Sequence, residues 1–325
     1  AGLNNSRRGI KAVAYESVLV ILLVKPAVDA YRITHHRGIS NAAYLLLSPE
    51  TELAFIKTIV MFSESMPSSL LQSYALLGAT EIKASAVGSL VLTAFSIAYT
   101  SSVISMNFDT DPSKRLHAPD FYGYVPDTTR LKVLVLMTTM TASHVLMKVL
   151  ACSLVLRLSG FWLTIYIAGD VGIFCGIKLF RRDFRYWLRL HGIRSLVASF
   201  FCRVVVKLVA DFSLIVQFRH QMDLGGAYWS GNILLNQAFC FLAVAVYKKY
   251  SDESLVLSYS SLWFLVSGLF AISTLSFGCF ILSINRKYLG TFFDTRTGSQ
   301  FLCDTWRAGT VDKDRMYVFS KHRSY

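Results

Sequence analysis

The chain has 325 residues, of which 54% are hydrophobic and only 16% charged, against roughly 25% charged in an ordinary soluble domain. Its 33 basic and 20 acidic residues leave a formal charge of +13, and the mean hydropathy is +0.46. Those values exclude a disordered or fibrous protein and argue against a soluble enzyme. The apolar residues arrive in long blocks, which points to an integral membrane protein of the multi-pass kind. A basic excess can mark nucleic-acid binding, but no RNP, zinc-finger or helix-turn-helix pattern accompanies it. Loops facing anionic headgroups carry the same excess, so membrane lipids, not nucleic acid, are the expected partner. The chain begins at Ala1 rather than Met, which leaves any upstream signal open.

About 20 apolar residues cross a hydrocarbon core as a helix. Eight blocks meet that length: 12–29, 53–78, 84–106, 131–156, 160–180, 195–217, 231–248 and 262–284. Apolar residues lie on all faces of most blocks, unlike the single stripe of a soluble surface helix. Strands of a membrane barrel would alternate over about ten residues, and no such alternation occurs. The expected fold is an all-α transmembrane bundle of about eight spans over residues 12–284. A basic segment, 1–11, precedes it and a polar soluble tail, 285–325, follows it.

The second block carries Glu64, Ser65, Pro67, Ser68 and Ser69 at its middle. Proline removes a backbone donor and kinks a helix, and carbonyls freed at that depth need protein or a wet cavity to satisfy them. A broken or re-entrant helix at Pro67 is therefore expected. Between the third and fourth blocks, residues 107–130 hold prolines and aspartates and read as an ordered surface loop. Asp109 and Asp111 open like a calcium loop, but no Gly and Glu follow in EF-hand register.

After the fifth block, residues 181–194 interleave arginines with Phe184, Tyr186 and Trp187. Arginine stems that snorkel among aromatics suit an anionic headgroup layer. With eight alternating crossings, Lys and Arg divide almost equally between the two sides, so the positive-inside rule sets no orientation. A tie of that kind also fits one re-entrant block.

Ionisable residues recur inside the blocks: Glu16, Asp29, Glu64, Asp170 and Asp211 against Lys25, Lys57, Lys148, Arg203 and Lys207. The two sets are equal in number, which favours pairing within the bundle over exposure to lipid, where such charges are expensive. In the sixth block Arg203, Lys207 and Asp211 are spaced i, i+4, i+8 and share one helical face. They span about 12 Å of depth at 1.5 Å per residue. The face is either a polar ladder for a charged headgroup or a structural arrangement in which Asp211 screens Lys207 and Arg203 meets Glu64 or Asp170. Two cations are too few for a voltage sensor.

Weaker patterns carry no chemistry. His35 and His36 lack further metal ligands. Ile167-Ala168-Gly169-Asp170 lacks the first glycine of an intramembrane aspartyl-protease motif. No HExxH, GxSxG or Walker pattern appears, nor a potassium-channel filter. Of the six cysteines, Cys152, Cys175, Cys202, Cys240 and Cys279 lie in apolar blocks and Cys303 in the tail, with no metal or disulfide spacing. No enzyme activity, cofactor or metal is expected, and the oligomeric state is left open.

One segment has a family likeness. Lys57-x6-Glu64-Ser65-x-Pro67-x3-Leu71-Gln72-x-Tyr74 resembles the ESxPQLxLQLY segment of XK-related membrane proteins. The likeness covers about 18 residues by the span of that motif. It departs from the family at Ser68, where the family has Gln, and at Val60, where an acidic residue is frequent. The remainder resembles uncharacterised multi-pass proteins of algae and protists. The resemblance implies a scramblase that moves phospholipids between leaflets without nucleotide, through a bundle with half-helices and internal charges. The candidate translocation residues are then Glu64, Ser65, Pro67, Gln72, Asp170, Arg203, Lys207 and Asp211. A secondary transporter or channel would use the same residues to line a site in a discontinuous helix, with a carboxylate carrying the coupled proton. A scaffold would use them only to pack.

Overall fold

A computed structural model describes residues 56–112, 115, 122–180, 225–250 and 257–285, with 197, 200–201, 204–205, 207–209 and 214. Two compact units are defined, residues 1–67 and 68–325. The described residues are helical apart from short turns and contain no strand. The principal α-helices are α1 (Met66–Leu77), α2 (Ala84–Thr110), α3 (Arg130–Leu158), α4 (Gly160–Phe180), α5 (Gly225–Tyr250) and α6 (Tyr259–Ser283). Among the described residues five helices, α2 to α6, are long and apolar enough to cross a membrane, as in an integral membrane protein. The expected block 12–29, the pair His35 and His36, the arginine cluster 181–194 and the tail from 286 lie outside the described residues.

In the first unit, residues 56–60 are helical and Met61–Ser65 form a π-turn. The Met66 N–H donates to the Met61 carbonyl, an i→i−5 bond, and the Ser63 hydroxyl returns to the Ile59 carbonyl at 2.8 Å. Pro67 is the second residue of α1. The chain stays helical across Glu64–Ser69, and the ladder changes register just ahead of the proline. A π-turn adds a residue to one helical turn without unwinding it.

In the second unit α3 is the hub, packing against α2, α4, α5 and α6. Its first half shares one apolar cluster, which joins Val133, Met137 and Met140 to Trp229, Ile233 and Phe280. Its second half shares another, which joins Met147, Leu154 and Val155 to Cys240, Val244, Leu262 and Val266. The pairing order makes α3 and α5 parallel, with α6 antiparallel to both. On α4, Tyr166 stacks on Phe239 at 3.9 Å while Phe174 meets Tyr228 at 6.3 Å, so α4 runs antiparallel to α5.

The end of α4 and the start of α5 lie at the same end of the unit. Most of the expected block 195–217 lies outside the described residues, and 207–209 within it are helical.

Within 107–130, Asn107, Pro112, Asp127, Thr128 and Arg130 are exposed, whereas Asp109, Tyr124 and Val125 are buried. Asp109 is fully buried and accepts the backbone N–H groups of Gly123, Tyr124 and Val125 at 2.7, 3.1 and 3.0 Å. Gly123 has φ 98°, a left-handed conformation that glycine adopts without steric cost. Arg115 reaches the Asp109 carboxylate at 3.5 Å and its carbonyl at 2.7 Å. The Tyr124 carbonyl accepts the Asn285 N–H at 2.9 Å, and the Tyr124 ring meets Phe280 edge-on. One buried carboxylate thus closes the α2–α3 connection, and the end of α6 is fastened to it.

Candidate functional site

On α4, Tyr166, Asp170, Phe174 and Lys178 follow one another at intervals of four and so lie on one face. They extend along about 18 Å of helix. Phe174 and Lys178 are buried, whereas most other side chains of this helix are exposed. The face is polar and aromatic rather than aliphatic, which is costly in lipid unless partners are supplied. The neighbouring segments supply them.

Near the start of the face, Asn236 of α5 collects two donors. The Tyr166 hydroxyl donates to Asn236 Oδ1 at 2.6 Å, and Lys148 Nζ of α3 donates to the same atom at 2.9 Å. Asn236 Nδ2 returns to the Asn232 carbonyl at 2.8 Å, which fixes the orientation of the amide. Lys148 also stands 5.9 Å from the Tyr166 ring centroid, within reach of a cation–π attraction.

One turn further on, Asp170 forms an ion pair with Lys207. Lys207 lies 6.0 Å from the Phe174 ring centroid and Lys178 lies 5.8 Å from it. Lys148, Lys178 and Lys207 are all at most 5% exposed. The Asp170 side chain is 13% exposed and the Lys207 side chain 4%, so the carboxylate is the member of the pair that approaches the outside. No neighbouring heavy atom lies within 4 Å of where a Cβ would stand on Gly169 or Gly172, which lie one and two residues from Asp170 and so on faces turned away from it.

Of the residues singled out in the sequence, Asp170 and Lys207 are brought together. Glu64 and Pro67 are exposed and Ser65 half-buried in the first unit. Gln72 is half-buried on α1, where its amide donates to the Ser68 hydroxyl at 3.1 Å and its carbonyl accepts from Ser89 at 3.5 Å. Arg203 and Asp211 lie outside the described residues. Sequence reasoning missed Tyr166, Asn236 and Lys178. A signal was present for two of them, because Tyr166 and Lys178 continue the four-residue spacing of Asp170. Asn236 gave none.

Among the described residues no group of three His, Cys, Asp or Glu side chains is placed to hold a metal ion. No protein-family model, curated protein or solved structure matches the chain.

Proposed function

We propose that this membrane protein equilibrates phospholipids between leaflets, with headgroups moving along the polar face of α4. The observation that carries the reading is the position of the Asp170–Lys207 pair. It lies on the helix with the least buried apolar window of the five, 11%, and its carboxylate side chain is 13% exposed. A lipid whose tails stay in the hydrocarbon needs polar footholds reached from the side of a bundle, not from an enclosed tunnel. The Asp170–Lys207 pair, one acid and one base, also suits a zwitterionic headgroup, whose phosphate replaces the carboxylate at Lys207 while its ammonium meets Asp170. Such an exchange conserves net charge at a depth where an added charge is expensive. Equilibration needs no nucleotide, because it runs down a gradient. The segment 57–74, with its likeness to XK-related proteins, supports the same reading.

The test is reconstitution into vesicles carrying a fluorescent phosphatidylcholine, followed by quenching of the outer leaflet with dithionite. The expected result is a loss of signal well beyond the half that protein-free vesicles lose. Vesicles that stop at the protein-free plateau, with the protein shown to be folded and inserted, would overturn the proposal. A second reading, solute or ion transport, is favoured by the enclosed Lys148–Asn236–Tyr166 network, which resembles a proton-handling site more than a lipid foothold. Ion leak without lipid exchange in the same vesicles would select it.

A further inference from the structure

The Asp170–Lys207 pair has an aromatic neighbour that an ion pair alone does not require. Phe174 follows Asp170 by four residues on α4 and so stands one turn along the same face. It is 5% exposed, and two ammonium groups lie over its ring. Lys207 Nζ is 6.0 Å from the centroid and Lys178 Nζ 5.8 Å. One turn before Asp170, Tyr166 repeats the arrangement, with Lys148 Nζ over its ring at 5.9 Å. Rings rather than aliphatic side chains thus flank the carboxylate along the face, and each has a cation against it.

A ring attracts a cation through its quadrupole, and more strongly once water is excluded. The Lys207 ammonium is therefore held twice, by the Asp170 carboxylate and by the Phe174 ring. A lysine side chain ends in a primary alkylammonium, the group that ethanolamine carries and close in kind to the trimethylammonium of choline. A carboxylate alone takes any cation of suitable size. An aromatic wall beside it favours an organic cation, whose charge is surrounded by apolar carbon.

We propose that Asp170 and Phe174 form a seat for an alkylammonium group, filled by Lys207 at rest and taken over by the ammonium of a phospholipid headgroup. The lipid part rests on the equilibration proposed above and names its substrate class. Headgroups that carry an ammonium, choline and ethanolamine, are preferred over phosphatidylglycerol, which has none. The carboxylate is the more exposed partner, 13% against 4%, so the seat is approached from its acidic side. Lys207, once released, meets the phosphate of the same headgroup.

Vacating the seat tests it apart from lipid movement. Lys207→Ala removes the resident ammonium and leaves a cavity. Millimolar ethylammonium chloride should raise the melting temperature of that variant in detergent, because a ligand bound only by the folded state stabilises it. Sodium chloride at the same concentration should not, and wild type, whose seat is filled, should respond to neither. A rise no greater than sodium chloride gives, or an equal rise in wild type, would overturn the seat. Adding Phe174→Leu to Lys207→Ala should remove most of the rescue, and an undiminished response would strike the ring from the seat. A second measurement needs no variant and holds even if Lys207→Ala does not fold. In the vesicle assay, wild type should exchange labelled phosphatidylcholine several-fold faster than labelled phosphatidylglycerol. Equal rates would overturn the headgroup preference and leave equilibration standing. Exchange of neither lipid would overturn equilibration, and the ethylammonium response then decides the seat by itself.

Discussion

Helices α3 and α4 are joined by a single residue, Ser159, and have similar hydropathy, yet they do opposite work. The apolar window of α3 is 67% buried inside the protein and that of α4 11%. On α3 the buried side chains are mainly aliphatic or sulfur-containing and hold four other helices in place. On α4 most aliphatic side chains face outward, Leu163 excepted, and the inward face carries Tyr166, Asp170, Phe174 and Lys178. Hydropathy therefore identifies both as membrane helices and says nothing about which is core. The distinction lies in where the polar residues point. A helix whose apolar side is satisfied by lipid is free to devote its inner side to charge.

The largest expected effect breaks the α4 side of that contrast. Lys207→Ala removes the cation that pairs with Asp170, and removing one partner of a buried pair costs about 3–5 kcal/mol. Unfolding in detergent measures the loss. Exchanging the two residues, Asp170→Lys with Lys207→Asp, should recover a good part of it, and a double variant no better than the single would show that the pair is not the source.

Next comes the α3 side. Leu154→Ala, at a position with no exposure, should cost about 2–5 kcal/mol through lost burial and a cavity. Ile173→Ala on α4, at 55% exposure, should stay within about 0.5 kcal/mol, as surface changes usually do. Equal losses at the two positions would abolish the comparison.

A smaller effect is expected where the two helices share a polar partner. Asn236→Leu removes the acceptor used by Tyr166 and Lys148 and should cost about 1–3 kcal/mol, the penalty for stranding buried donors. Asn236→Asp keeps an acceptor and should cost less. Gly172→Ala should be tolerated and can add up to about 1 kcal/mol of helix propensity, because open space surrounds that position. A clear loss there would reveal a partner seated against α4.

Much of the fold was legible because hydropathy is a local property. The block 160–180 coincides with α4, and 131–156 lies within α3 by a residue or two at each end. The block 195–217 lies mostly outside the described residues. Its composition is that of a span, and whether it crosses depends on the directions of α4 and α5, which are set by contacts far apart in sequence. The site was legible in part. Asp170 and Lys207 stand out as charges in apolar surroundings, but their pairing joins residues 37 positions apart, which the spacing of 203–211 does not reveal. Asn236 is one polar residue among several on α5, and only its position opposite Lys148 and Tyr166 makes it an acceptor for both. Asp109 read as loop because its three backbone donors come from residues 14 to 16 positions later.

The Asp109 clamp has a consequence for biogenesis. A chain synthesised from its N-terminus can close the bonds from Asp109 to Gly123, Tyr124 and Val125 once residue 125 has been delivered, because the loop they define is short. The bond from Asn285 to Tyr124 cannot form until α6 has been inserted, after almost all of the membrane region has been made. The first event shapes a hairpin of α2 and α3, and the second seats the last helix on a connection that was already folded. Assembly therefore has an order written into one carboxylate, with the early hairpin serving as the dock for the latest arrival.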